Sequence, residues 1–301
     1  MLKKAYENVS KNGDRLARVD PLIDWGAFRP IIRPMYHNRT PRGGRPNVDP
    51  VVMVKLLVLQ EWYGLSDPEL ERQVDDRLSF QRFLGFPEKA PDYSTVWQFR
   101  ERLAETGRDR LVWEELQLQL DGKELKVRKG VVQDATFITS DPGHAPAKKP
   151  RGGEARTRRS RDGAWAKKGS RSYYGYKLHT KSDVDRGIIR DLETTPANVH
   201  DSRVDLSEEG EVVYRDKGYF GVKPRGYDAT MRRGVRGHPL GIRDRRINRK
   251  RAPGERAFAV LKRVFNSGHV LVTTVPRVHV KMTFACLCFN LVQLGTLAAR
   301  S

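Results

Sequence analysis

Three acids in this chain have the type and setting for chemistry on a phosphodiester. Asp134 closes the apolar run GVVQD and is followed by ATFI, which puts it on or at the edge of a strand. Asp216 follows EVVYR and precedes KGYF, at the end of a later strand. Glu255 opens APGERAFAVLKRVF, a segment with the period of an amphipathic helix. Two strand acids and a helix acid can converge on one point of a mixed sheet. Three carboxylates are the donor set that hard divalent cations require. Two such ions can activate a water or a 3′-hydroxyl and stabilise the leaving oxygen of a phosphodiester. Each acid also has a simpler reading, and on position alone both stay open. Asp134 could be an exposed strand-end acid, Asp216 a turn residue before Gly218, and Glu255 a first-turn acid favoured by the helix dipole.

The helix geometry adds a second line. At about 100° per residue, Lys262 lies within roughly 20° of Glu255, two turns on. Phe258, Leu261 and Phe265 cluster about 80° away, a core stripe beside the site-facing one. Pro253 reads as the first helical residue, which would leave Arg251 and Asn248 just outside the helix.

Charge indicates the substrate class. The 301 residues include 57 Lys+Arg against 37 Asp+Glu, a formal net charge of +20 that points to a polyanion, most simply nucleic acid. The excess is concentrated: residues 148–181 hold twelve basic residues and two acids, and residues 215–263 hold sixteen and four. Both blocks lie mid-chain among strand-like segments, where self-repulsion needs a compensating partner such as a phosphate backbone. With 38% hydrophobic residues the chain can bury a core. Two cysteines, Cys286 and Cys288, exclude a disulfide scaffold and a four-cysteine zinc site, and read as core packing in a reduced, cytosolic protein. The N-terminus has no apolar signal region.

The elements that must position these residues fall into two blocks. The segment from Asn47 to Gly122 reads as helical. VDPVVMVKLLVLQEWYGLS runs from Pro50 towards Gly64. One helix fits LSDPELERQVDDRLSFQRFLGF, with Ser66 three before Glu69. YSTVWQFRERLAETG is another, with Thr95 three before Gln98 and Gly107 as the stop, and a fourth spans about 109–120. From Lys126 the period changes. VRKGVVQDATFITS, SYYGYKLHTKSD, GIIRDLETT, EVVYRDKGYF and YDATMRRGV read as strands. Residues 141–170 read as a long, mobile basic loop. The apolar C-terminal segment VKMTFACLCFNLVQLGTLAA reads as a buried helix, because Lys281, Asn290 and Gln293 interrupt it.

Taken together, the motifs resemble the DDE-type transposases of bacterial and archaeal insertion sequences, and among them the group named after insertion sequence five. Asp134 in VVQDATFI is similar to that family's first catalytic Asp, and Asp216 in YRDKGYFG to its second, with Gly218 and Tyr219 after it. Around the third acid the family has Tyr, Arg, Glu and Lys, where this chain has Asn248, Arg251, Glu255 and Lys262 at the same spacings. DGAWAKKG with YYGYKLH, and the helical stretch from GRPNVDP to FRERL, are similar to the family's other segments. The resemblance implies an α/β catalytic domain over 123–301, a ribonuclease-H-like mixed sheet with flanking helices, preceded by an all-α DNA-binding domain over 1–122. It implies Asp134, Asp216 and Glu255 as catalytic metal ligands for Mg2+ or Mn2+, taken as two ions. It further implies Arg251 and Lys262 as phosphate contacts, double-stranded DNA of the element's ends and of the target as partner, a homodimer on DNA, no membrane, and a cytoplasmic, nucleoid-associated location. The rival functions are a metal-dependent nuclease of the same fold without strand transfer, and an inactive transposase-derived DNA-binding protein.

Further DNA contacts are expected from the basic block. Arg156, Arg158, Arg159, Arg161, Lys167 and Lys168 are candidate phosphate ligands, and Trp165 among them is either a base-stacking platform or an anchor against the sheet. Lys177 alternates with Tyr174, Tyr176 and His179, so one face is core and the other is free to touch DNA. Arg42 and Arg45 suit a DNA-contacting arm or a linker. Asp201 is a rival carboxylate, better suited to capping the short helix that follows it.

Overall fold

The computed structural model describes residues 2–36, 46–143, 162–233 and 239–299. The chain forms two compact units, Met1–Leu125 with Thr283–Ser301, and Lys126–Met282.

The first unit is helical: α1 (Leu2–Lys11), α2 (Arg15–Val19), α3 (Arg29–Ile32), α4 (Pro50–Tyr63), α5 (Asp67–Asp76), α6 (Leu78–Leu84), α7 (Tyr93–Thr106) and α8 (Arg108–Gly122). Helix α4 starts where Asp49 accepts the Val51 N–H at 2.7 Å, and ends where Gly64 turns left-handed. Between them Met53, Val54, Leu56, Leu57, Val58, Leu59 and Trp62 are all buried, so α4 is the core helix of the unit. The single helix expected over 65–86 is two. Ser66 does cap α5, but Arg77 turns extended (φ −104°, ψ 114°) and its guanidinium lies over the rings of Tyr63 and Phe80. Two acids, Asp75 and Asp76, at the C-terminal end of α5 also oppose its dipole. Helix α7 is capped by Asp92, which accepts from Thr95 N at 2.7 Å, so the cap lies three residues before the one expected at Thr95.

The second unit is a seven-stranded mixed sheet: β1 (Val131–Ser140), β2 (Ala164–Lys168), β3 (Arg171–Asp183), β4 (Ile189–Pro196), β5 (Val212–Arg215), β6 (Tyr227–Thr230) and β7 (His269–Val270). Strand β1 is central. It runs antiparallel to β3 and parallel to β5 and β7; β5 in turn is parallel to β6, while β2 and β4 both pair antiparallel with β3. Helix α9 (Ile242–Arg263) packs on β1, β3 and β5. The last nine residues expected to be loop include strand β2. Two short 3-10 turns, Asp201–Arg203 and Lys217–Tyr219, pack against each other. This α/β arrangement of a mixed sheet with flanking helix is ribonuclease-H-like.

Helix α10 (Val275–Ala298) is the one described helix long and apolar enough, by length and composition, to cross a membrane. Of its most apolar window 72% is buried inside the protein, which makes it a core helix as expected. Cys286 and Cys288 are buried and unbridged on it.

Candidate active site

Strand pairing brings the first two acids together. In the parallel β1–β5 ladder Val132 sits opposite Tyr214. Continuing that register by two residues sets Asp134 beside Asp216, on the same face. Each carboxylate is pinned to its own backbone. Asp134 Oδ1 accepts the Ala135 N–H at 2.8 Å, and Asp216 Oδ1 accepts the Gly218 N–H at 2.7 Å. The second bond explains the glycine two residues after the acid: a Cβ at Gly218 would stand 2.8 Å from Asp216 Oδ1.

Helix α9 supplies the opposite wall. It begins eleven residues before Pro253, so Pro253 lies inside it and the expectation that the helix opens there is corrected. Asn248 and Arg251 are therefore helical, and at about 100° per residue Asn248, Arg251, Glu255 and Lys262 fall on one stripe. The helix lies close to β1 at Gly254, where a Cβ would be 3.1 Å from Val132 Cγ1 and 4.0 Å from Asp134 Cβ. Arg251 is buried, and its Nη2 donates to Asp134 Oδ2 at 2.9 Å. Glu255, one residue beyond Gly254, is exposed.

The electrostatics follow from this packing. Burial raises the Asp134 carboxyl above its ordinary value, the charge of Asp216 adds to the rise, and Arg251 and the Ala135 N–H oppose it. Two neighbouring half-buried acids, one raised by the other, form a place where a cation is stabilising, and their oxygens are the hard donors that Mg2+ or Mn2+ takes. The fit extends to this pair. Among the described residues no group of three or more His, Cys, Asp or Glu is gathered to hold a metal ion. Arg251 supplies the positive charge beside Asp134.

The floor of the site was not fully anticipated. Tyr219 is fully buried, and burial together with the charges of Asp134, Asp201 and Asp216 pushes its hydroxyl up. Arg215, also fully buried, donates Nε to Thr230 Oγ1 at 2.9 Å and Nη2 to Val222 O at 2.6 Å, and sits over the Tyr219 ring. It ties the loop after Asp216 to β6. Its place next to the acid in YRD was the only signal in the sequence, and an Arg there reads more naturally as a surface charge.

The remaining candidates divide. Lys177 is corrected: it is buried, and its Nζ donates to Val199 O and Asp201 Oδ1, both at 2.7 Å. Strand β3 is buried from Tyr174 to Asp183 on both faces, so alternation has no wet side there. Asp201 is corrected with it. The cap of its turn is His200, which accepts the Ser202 N–H, and Asp201 serves as the counterion of Lys177. Trp165, Lys167 and Lys168 are exposed on the short strand β2, with Trp165 57% exposed and leaning on Tyr174 at a ring distance of 5.2 Å. Lys262 is half-buried with its stem against Gly268, and burial together with the charge of Lys168 lowers its amine below the usual lysine range. The candidates Arg156, Arg158, Arg159 and Arg161, and the arm at Arg42 and Arg45, lie outside the described residues.

Two family models match the chain. Residues 4–102 match the family described as Transposase domain (DUF772), and residues 125–291 match Transposase DDE domain. No solved structure matches it significantly. The second match alone spans more than half of the chain and contains Asp134, Asp216 and Glu255. The chain belongs to the DDE-type insertion-sequence transposases, metal-dependent polynucleotidyl transferases that act on DNA.

Proposed function

We propose that this transposase binds the terminal inverted repeats of its own element, cuts the phosphodiester at each end, and joins the freed 3′-hydroxyl to target DNA. The observation that carries the reading is the pair of neighbouring acids Asp134 and Asp216, whose charges interact, faced by the helix that bears Arg251, Glu255 and Lys262. Asp134 and Asp216 with Glu255 would hold Mg2+ or Mn2+, as two ions, whose chemistry when bound is to ease deprotonation of the attacking hydroxyl and stabilise the leaving oxygen. In the first step water attacks phosphorus and the 3′-oxygen leaves as a hydroxyl; in the second that hydroxyl attacks a target phosphate and displaces a target 3′-oxygen. Arg251 and Lys262 neutralise phosphate charge along the helix stripe. Lys167 and Lys168 add phosphate contacts from β2, and the exposed face of Trp165 stacks on a base. The acting form is a homodimer on two ends in the cytoplasm, at the nucleoid.

The deciding test supplies a pre-cut end duplex, a target plasmid and Mn2+. Joined product supports the full reading. Cleavage of an uncut end without joining of a pre-cut one reduces the protein to a nuclease, and end binding without either reaction makes it a transposase-derived binding protein.

A further inference from the structure

Arg251 is poorly served where it stands. Only its Nη2 has a strong acceptor, Asp134 Oδ2 at 2.9 Å. Its Nη1 lies 3.5 Å from Asn248 Oδ1 and 3.9 Å from Met231 Sδ, both weak at those distances, and its buried Nε has no hydrogen-bond partner among the described residues. A guanidinium with spare, buried donors is better satisfied by a phosphate, which accepts two of them at once. Asp134 is in the opposite condition. Its Oδ1 is taken by the Ala135 N–H and its Oδ2 by Arg251, so a divalent cation arriving at this carboxylate meets a fixed positive charge on the same group.

We propose that Arg251 gates metal loading: in the free protein it holds Asp134 as an ion pair, and an incoming DNA phosphate draws the guanidinium off and opens the carboxylate to the cation. The inference rests on the proposed metal role of Asp134 and adds a regulation to it. Linkage makes the effect reciprocal, so DNA tightens metal binding and metal tightens DNA binding. Arg251 is here a positioning residue, acting through Asp134.

The test is calorimetric titration with Mn2+ of the full-length protein, free and bound to a pre-cut end duplex. The Asp134→Asn variant with the same duplex serves as the blank for ions taken up by DNA. The wild type is expected to bind Mn2+ about tenfold or more tightly with DNA than without. Free Arg251→Gln is expected to bind Mn2+ already about as tightly as the wild-type complex, with little further gain from DNA. Equal wild-type affinity with and without DNA overturns the gate, and so does Arg251→Gln binding Mn2+ no tighter than the free wild type. If that variant does not fold, the wild-type pair of titrations decides alone. Site-specific Mn2+ binding that survives in Asp134→Asn overturns the metal-site reading itself, which separates that failure from failure of the gate.

Discussion

Asp109 in the helical unit and Asp134 in the sheet unit are both pushed above their ordinary pKa by burial, and they are held very differently. Asp109, in the first turn of α8, is 3% exposed, and burial pushes its carboxyl up to about 6. The charges and backbone donors around it, Arg110 foremost, only moderate that rise. Asp134, on β1, is raised by burial too, but a second acid stands alongside it and a buried arginine pairs with it. Burial by itself therefore does not mark a working acid. A second carboxylate in register and a cation supplied by another element do, because together they make a place where charge can be exchanged.

The largest expected effect breaks the comparison most cleanly. Asp134→Asn or Asp216→Asn should lower end cleavage about a thousandfold or more, equivalent to roughly 4 kcal/mol of lost transition-state stabilisation. End binding should survive, as read by gel shift beside single-turnover cleavage. Asp109→Asn should cut like the wild type, and a large loss there would show that burial alone was the relevant feature after all.

Next in size is Gly218→Ala. The new methyl would press on Asp216 Oδ1 and turn that carboxylate away from Asp134. Cleavage is expected to fall roughly ten- to hundredfold, the usual consequence of misplacing a reacting group by about an ångström. Near-normal cleavage in a folded variant would mean that the Asp216 position is not set by this turn.

The pH dependence of stability sharpens the other half of the comparison. The Asp109 pKa is raised from 3.8 to about 6 on folding. Its relative contribution is fully present below the unfolded value and is lost as pH rises through the folded one, so above that range the ionised, buried acid weakens the native state. Asp109→Asn should therefore gain about 3 kcal/mol over the wild type in denaturant melts near pH 7.5, with the gap closing below about pH 4. A constant gap across that range would refute the buried-acid account.

The smallest effect separates a buried cation from an exposed one. Lys168→Ala should reduce the log–log salt slope of DNA binding by about 0.9. Lys177→Ala should leave the slope unchanged and instead destabilise the sheet unit by about 1 kcal/mol, because the Val199 carbonyl and Asp201 lose their donor. A reduced slope in Lys177→Ala would return that residue to the DNA-contacting surface.

Much of the site was legible in the sequence because its signals are local. An apolar run that stops at an acid, an acid followed at two by glycine, and a glycine after a helical period each reflect a few neighbouring atoms. Asp134, Asp216, Gly64 and Gly107 stood where such signals put them. What was not legible depends on partners distant in the chain. Lys177 reads as a surface cation until β1 and β4 enclose its strand. Asp201 reads as a cap until that lysine claims it. The first half of α9, rich in arginine, has too few apolar residues to show a helical period, and Pro253 then looks like a beginning. The break at Arg77 has no glycine or proline to announce it.

Pro253 has a consequence of its own. Having no N–H, it leaves the Arg249 carbonyl, four residues back, without its helical donor, and its ring crowds that turn. Gly254 follows at once, adding backbone freedom at the point where the helix touches Val132. Helix α9 thus lacks one rung of its hydrogen-bond ladder at the turn where it meets the central strand. Asn248 and Arg251 lie before that turn and Glu255 and Lys262 after it, so the stripe that faces the acids spans the weakest turn of the helix.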